Sequence, residues 1–342
     1  MNRYCYFPII KTRDAELNAV SHLPSDIFDY ILPVYELTKS RKNKLAPDGD
    51  IHKRMRELCG IHNKRPFILD VSTNEKYMNM QIENLLEPDN GFNEWQYFLN
   101  TYNDFNIIPM IHIMENIESI EVDKFILSQL TKNKDLAVRF PLEIDSVEPY
   151  VNHITHIING KQKLYIILDA EQLTERNAVG SEGKIKEHLA QLEKYRSENI
   201  IIIVAGTSFP KSVADYGDTE GDIPILEEIL FNNLKRMGVY YGDYASINIE
   251  QIEIKGGTFV PRIDIPLESE FFYKRYRRKE GSYQRCAQQV VLDERYAPSG
   301  IWPNNEITLA KNDEASGISP SFWISVRMNY FMTTRVLLRM SK

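Results

Sequence analysis

Short apolar runs alternate with amphipathic segments along most of the chain. Eight of these runs are rich in β-branched and aromatic residues, which favours strands over helices. They occupy residues 4–11, 31–36, 66–70, 106–112, 135–139, 163–169, 199–207 and 238–243. Near-continuous apolarity, as in Ile200 to Val204, is typical of parallel strands that are buried on both faces.

Helical patterns fill most of the gaps between these runs, for example over residues 50–58, 92–102, 181–195 and 225–237. Alternating strand and helix units of this length predict right-handed parallel crossovers. An open doubly wound sheet has the same local pattern. The count of eight strands with equivalent polar ends favours an α/β fold of the (β/α)8 barrel type.

The pattern changes after about residue 250. Residues 259–266 carry two prolines and therefore predict an edge strand or ribbon. A short helix is predicted over 284–294 and a last helix from 321 to 340, and residues 298–317 resemble a loop. We therefore predict a barrel over residues 1–250 and a C-terminal appendage over 251–342 that packs on it.

Composition narrows the function classes. The chain has 342 residues, of which 43% are hydrophobic and 26% charged, and its net charge of −7 argues against a generic polyanion binder. No apolar run approaches the ~20 residues of a membrane span. The N-terminal residues lack signal-peptide features, and the three cysteines are widely spaced. We expect a cytoplasmic protein with reduced thiols and no membrane partner.

Seven of the eight predicted strands end in, or run into, an ionisable side chain. These candidate catalytic residues are Lys11, Glu36, Asp70, His112, Arg139, Asp169 and Asp243. Side chains alternate along a strand, so each shares a face with the apolar residue two positions earlier. If those faces point inward, the polar groups form a ring at the C-terminal mouth of the barrel. The same groups are also consistent with the starts of solvated loops, or with a structural salt-bridge plug.

Two chemical hypotheses fit this ring. In the first, Glu36, Asp70 and Asp169 hold a hard cation such as Mg²⁺, His112 acts as acid or base, and Lys11 and Arg139 hold a phosphate or carboxylate. In the second there is no metal, and a carboxylate pair performs general acid–base work. Backbone N–H groups after the seventh strand are predicted to bind phosphate, as they do in many barrels. They belong to Gly206, Thr207 and Ser208.

One basic segment of the appendage interleaves tyrosine with cations. It contains Lys274, Arg275, Tyr276, Arg277 and Arg278. Such a segment is able to grip a nucleic-acid backbone and stack bases, or to contact a partner protein. A solvated hairpin has the same composition.

Several short motifs resemble one known family. They are Tyr6-Phe7-Pro8-Ile9-Ile10-Lys11, Leu32-Pro33-Val34-Tyr35-Glu36-Leu37, Ile68-Leu69-Asp70, Tyr241-Gly242-Asp243-Tyr244 and Ser321-Phe322-Trp323-Ile324-Ser325-Val326-Arg327. Together they are similar to the "beta protein" family of bacteriophages and of prophage or mobile regions in bacteria. The resemblance covers essentially the whole chain. It implies a phage or mobile-element setting, or an antiphage defence locus, and it supplies no mechanism.

Two functions from different classes remain open at this point. The first is a hydrolase that acts on a phosphorylated or nucleotide-like substrate at the mouth of the barrel. The second is a non-catalytic component of a phage or defence complex, whose appendage contacts a partner protein or nucleic acid.

Overall fold

The protein is described by a computed structural model that covers residues 3–113, 119–158, 160–250 and 259–340. The strands are β1 (Tyr6–Lys11), β2 (Val34–Leu37), β3 (Phe67–Val71), β4 (Ile107–Pro109), β5 (Leu136–Pro141), β6 (Leu164–Gln172), β7 (Ile200–Thr207), β8 (Glu220–Pro224), β9 (Tyr240–Asp243), β10 (Arg262–Pro266) and β11 (Glu270–Arg275). The helices are α1 (Asp14–Ser21), α2 (Ser25–Phe28), α3 (Ile51–His62), α4 (Met80–Leu86), α5 (Asp89–Thr101), α6 (Ser119–Leu130), α7 (Glu148–Ile158), α8 (Ala178–Leu192), α9 (Leu226–Leu234), α10 (Ser282–Leu292), α11 (Trp302–Lys311) and α12 (Pro320–Met340).

Eight parallel strands form the main sheet, in the order β4-β3-β2-β1-β9-β7-β6-β5. A parallel bridge between Met110 and Ala137 joins its two edges, and the Ile111 N–H donates to the Ala137 carbonyl at 2.7 Å. The sheet therefore closes into a barrel surrounded by helices. The eight apolar runs are its eight strands, which confirms the predicted (β/α)8 fold.

The core has an inner and an outer layer because side chains alternate along each strand. Residues such as Phe7, Ile9 and Ile167 fill the interior of the barrel. Their neighbours in sequence, including Tyr6 and Leu168, pack outward against the helices. This alternation decides which polar strand ends face the mouth.

A smaller antiparallel sheet, in the order β10-β11-β8, packs with α10, α11 and α12. The predicted edge strand over 259–266 corresponds to β10, and the predicted last helix corresponds to α12. The division at residue 250 stays a prediction, and it adjoins residues 251–258, which lie outside the described residues. The small sheet also contains β8, which precedes residue 250 in the sequence and pairs with β11.

The sequence predicted a loop over residues 298–317. This prediction was wrong in part, because the helix α11 lies within the segment. Its proline, Pro303, lies in the first turn, where a missing N–H costs nothing. Ile307 and Ala310 are buried and attach the helix to the small core. Among the described helices, none combines the length and the apolar character that crossing a membrane requires.

Candidate functional site at the barrel mouth

Five of the seven predicted ring residues meet at the C-terminal mouth of the barrel. They are Lys11, Glu36, Asp70, Arg139 and Asp169, and they are called the mouth cluster below. Strand register explains the first three, because Lys11 pairs with Glu36 across β1 and β2, and Glu36 pairs with Asp70 across β2 and β3. Five different strands thus contribute one side chain each.

Arg139 lies at the centre of the mouth cluster. Its Nη2 is 2.9 Å from Glu36, its Nη1 is 3.1 Å from Asp70, and its Nε is 3.3 Å from Asp169. Lys11 Nζ lies 2.9 Å from the other oxygen of Glu36. The Arg139 side chain is 21% exposed, whereas that of Asp169 is only 2% exposed. The cluster therefore reaches solvent mainly through Arg139.

Burial and ion pairing act in opposite directions on the three carboxyl groups. Burial alone would raise the pKa of Glu36, but Lys11 and Arg139 lower that pKa to about 2. At Asp70 the effect of burial is larger than the opposing effect of the Arg139 charge. Burial and the negative charge of Glu36 together raise the pKa of Asp70 to about 6. Burial also raises the pKa of Asp169 against the opposing effect of Arg139. Neighbouring carboxyl groups thus differ in proton affinity, and Asp70 titrates near neutral pH.

Tyr244 is a member of the site that the sequence reasoning missed. Its hydroxyl donates to Asp169 at 2.5 Å, and its ring centre lies 5.7 Å from Lys11 Nζ. The side chain belongs to the interior core. Gly242 was the sequence signal that could have shown which face of β9 points into the barrel, because a Cβ there would lie 2.9 Å from the Phe7 carbonyl oxygen and from an Ile203 methyl group. Tyr244 is two residues further along the chain, so it lies on the same, inward face as Gly242.

Asp243 lies on the opposite face of its strand, so its predicted inward orientation was wrong. The Tyr6 hydroxyl donates to Asp243 at 2.6 Å, and the Ala245 N–H donates to the same oxygen at 2.7 Å. Both Tyr6 and Tyr241, which pair across β1 and β9, belong to the outer core layer. Asp243 is therefore fully buried beneath the helices and does not join the mouth cluster.

His112 also lies apart from the mouth cluster. It follows β4, and its ring centre lies 5.5 Å from that of Phe92 and 5.3 Å from that of Trp95, both on α5. Burial among these rings lowers the pKa of His112 to about 4. The imidazole is therefore neutral at neutral pH, and the contacts recorded among the described residues are with aromatic rings, so the predicted acid–base role stays a prediction.

The predicted phosphate-binding segment is occupied by a carboxylate of the protein itself. The Ser208 N–H and hydroxyl donate to Glu227 at 2.8 and 2.6 Å. The Thr207 hydroxyl accepts from the Phe209 N–H at 3.2 Å, and a Cβ at Gly206 would meet the Leu173 side chain at 3.1 Å. In this conformation the Ser208 N–H donates to Glu227 and is not directed to a phosphate.

The predicted metal ligands surround a cation that belongs to the chain. Glu36, Asp70 and Asp169 all contact the Arg139 guanidinium. Across the described ranges, no group of three or more His, Cys, Asp or Glu side chains is arranged to hold a metal ion. The donor set, which already surrounds a guanidinium, does not fit Mg²⁺.

Acidic neighbours neutralise the basic segment of the appendage. Lys274 contacts Glu220 at 2.6 Å and Asp293 at 3.2 Å, while Arg275 and Arg277 both contact Asp218, at 2.7 and 2.9 Å. Tyr276 lies beneath the Arg285 guanidinium, and Arg278 is exposed at the start of a short 3₁₀ turn. These pairs reduce the positive potential that suggested a nucleic-acid contact.

Comparison with known proteins gives a match over nearly the whole chain. The family model described as "Beta protein" matches residues 6–337. A curated relative, Protein beta of Enterobacteria phage P4, is 26% identical over an alignment that covers 97% of this chain and 93% of the phage protein.

Proposed function

The chain belongs to the Beta protein family, and we propose that the mouth of its barrel is an acid–base active site of a hydrolase. The proposed substrate is phosphorylated or nucleotide-like. The name of its phage relative supports a phage or mobile-element setting, and we extend this to antiphage defence and a cytoplasmic location. The appendage over residues 251–342 is proposed to pack on the barrel.

One observation carries the catalytic proposal. Five ionisable side chains from five strands converge on a partly exposed point at the C-terminal end of the barrel, where barrel enzymes place their active sites. A buried carboxyl group with a pKa of about 6 lies among them. Perturbed groups of this kind cluster at functional sites, because a proton-exchanging group works best near the ambient pH.

The cluster assigns different roles to neighbouring groups. Glu36 stays ionised and holds Lys11 and Arg139 in place. A guanidinium carries five N–H donors, and the three carboxylates contact one nitrogen each. The second hydrogen of Nη2 is the donor proposed to orient a phosphate. Asp70 in its ionised form then accepts a proton from the attacking water as the water oxygen bonds to phosphorus. It returns this proton to the leaving oxygen as the bond between phosphorus and that oxygen breaks.

Phosphate release from nucleotides and small phosphomonoesters tests this proposal. Wild-type protein is expected to hydrolyse at least one compound of a panel of nucleoside phosphates and cyclic nucleotides, with a rate that rises through about pH 6. Asp70→Asn removes the proton acceptor and should lower the rate by about a hundredfold or more.

Asp243→Asn provides the matched control. It makes the same chemical change at the end of another strand, but its side chain lies on the outer face. We expect it to keep the wild-type rate. Absence of turnover across the panel, or equal activity of Asp70→Asn and wild type, would contradict the proposal.

A second candidate function rests on a different observation, namely that the charges of the mouth cluster are paired with one another. In that case the ring is a structural plug, and the protein is a non-catalytic component of a phage or defence complex. Its appendage would then contact a partner protein or nucleic acid. Charge reversal of Arg275, Arg277 and Arg278 should abolish that contact, and unchanged binding at low salt would exclude this segment.

A further inference from the structure

A cavity of about 330 Å³ opens beside the mouth cluster. It is formed by the segments that follow β1, β2 and β3, together with the first turns of α12. Its cations are Arg13, Lys39, Arg41, Lys42, Arg54 and Lys76, and its lining carboxylates are Asp14 and Glu16. Arg41 and Lys42 are exposed at its edge, with side chains that are 77% and 65% exposed.

A second cavity, of about 550 Å³, lies between the barrel and the small sheet. Its cations are Arg13, Lys211, Arg262, Arg275 and Arg327, and its lining carboxylates are Glu250 and Asp264. Arg13 and Ile324 line both cavities, so the two share a wall. Together they are called the basic groove.

The basic groove is positive in a chain whose net charge is −7. Among its described lining residues, ten different cations face four carboxylates. Asp48, Glu57 and Asp218 pair with Lys42, Arg54 and Arg275 from outside the lining and offset part of this positive charge. The separation of charge favours an anionic ligand here and disfavours one elsewhere on the surface.

Aromatic side chains accompany the cations in both cavities. Tyr77 lines the first cavity, with the Arg13 guanidinium 5.2 Å from its ring centre. The partly exposed Phe259 and the buried Phe209 line the second. Cations that follow a backbone, interleaved with aromatic rings, are the combination that binds unpaired bases and their phosphates.

We propose that the basic groove binds a single strand of nucleic acid, with successive phosphates in the two cavities. A strand is preferred to a mononucleotide because the cavities adjoin and both are basic. A single strand is preferred to a duplex because bases stack on aromatic side chains only when they are unpaired. This binding does not depend on catalysis at the mouth.

Fluorescence anisotropy with labelled oligothymidine and oligouridine of about 16 nucleotides tests the proposal at about 50 mM salt. Lys42→Glu combined with Lys211→Glu reverses one exposed cation in each cavity. The double variant should bind at least about tenfold more weakly than wild type and show a smaller dependence of affinity on salt.

Lys132→Glu combined with Lys161→Glu is the matched control, because it changes the net charge equally. Both lysines are exposed and precede β5 and β6, at the opposite end of the barrel. We expect affinity within about twofold of wild type for this control. Asp70→Asn should also bind normally, which separates failure of this proposal from failure of the catalytic one.

Three results would overturn the proposal. The first is absence of binding to either oligomer at low salt. The second is equal weakening by the groove variant and by the control. The third is equally effective displacement of the oligomer by a duplex, or by thymidine monophosphate at the same phosphate concentration. Loss of binding in the groove variant alone, with its thermal midpoint unchanged, supports the groove.

Discussion

Two groups of buried carboxylates lie at the C-terminal ends of the barrel strands, and they differ in what surrounds them. The mouth cluster faces inward, contains two cations, and reaches solvent through Arg139, whose side chain is 21% exposed. The outer cluster comprises Asp243 and Glu227 with their hydrogen-bond partners Tyr6 and Ser208, and it is sealed beneath the helices.

Exposure and charge balance separate the roles of these clusters. Burial raises the pKa of Glu227 to about 7 and that of Asp243 to about 6, so both are sensitive to protons but cannot reach a ligand. In the mouth cluster Asp70 has a similarly raised pKa beside a partly exposed cation. A perturbed carboxyl group is therefore a functional candidate only where something can approach it.

Among the variants considered for stability, loss of the Glu36 charge should lower the free energy of unfolding most. Glu36→Gln leaves Lys11 and part of Arg139 buried without their partner, and we expect the free energy of unfolding to fall by about 3 to 5 kcal/mol. Urea denaturation followed by circular dichroism measures this loss. Glu182→Gln, which breaks an exposed pair with Lys186, should cost no more than about 1 kcal/mol. Equal losses would show that the mouth cluster behaves as ordinary surface charge.

The outer cluster should contribute strongly to the pH dependence of stability, and Asp70, whose pKa burial also raises to about 6, acts in the same sense. The folded-state pKa values of Glu227 and Asp243 lie above their ordinary values of 4.5 and 3.8. The native state therefore binds more protons than the unfolded chain between about pH 4 and 7. The free energy of unfolding should accordingly fall as pH rises through this window.

Urea midpoints measured from pH 4.5 to 7.5 check this slope. The combined variant Glu227→Gln and Asp243→Asn should flatten it. Glu36 acts in the opposite sense, because its pKa is lowered, but its stabilisation is lost only as pH falls from 4.5 towards about 2. A slope that the variant leaves unchanged would assign the pH dependence to other groups.

Ser208→Ala should have a smaller effect. It removes the hydroxyl that donates to Glu227 and accepts from the Leu226 N–H, and it leaves a buried carboxyl group with one donor fewer. We expect a loss of about 1 to 2 kcal/mol. Ser21→Ala, at an exposed hydroxyl on α1, should change the stability by less than about 0.5 kcal/mol.

Among the variants of the two clusters, Asp70→Asn should have the smallest effect on stability. Asparagine resembles the protonated carboxyl group that burial favours, and Arg139 keeps both Glu36 and Asp169. We expect a change within about 1 kcal/mol at neutral pH. A loss as large as that of Glu36→Gln would make the mouth a structural plug.

The sequence predicted the barrel because buried parallel strands leave continuous apolar runs that helices separate. It also placed five of the seven ring residues correctly, since alternation from Ile9 to Lys11 or from Ile167 to Asp169 follows the interior layer. The prediction from alternation was wrong at Asp243. Tyrosines lie on both faces of β9, so hydrophobicity does not distinguish the faces, and only Gly242 indicates the crowded interior face.

Other features depend on contacts between distant segments. The strand β8 contains Gly221 and Asp222, which have low strand propensity, and it forms by pairing with β11. The basic groove draws its cations from segments between Arg13 and Arg327, so no local run indicates it. The carboxylates that neutralise Lys274 to Arg277 are likewise dispersed along the sequence.

The titration of Asp70 is the most direct test of the difference between the two clusters. Carbon-13 NMR of aspartate-labelled protein, assigned with Asp70→Asn, measures the pKa of this carboxyl group in the native state. The predicted value is about 6, and it should shift when a phosphate-bearing ligand contacts Arg139. A value at or below the ordinary 3.8 would contradict the proposed proton-exchanging site at the barrel mouth.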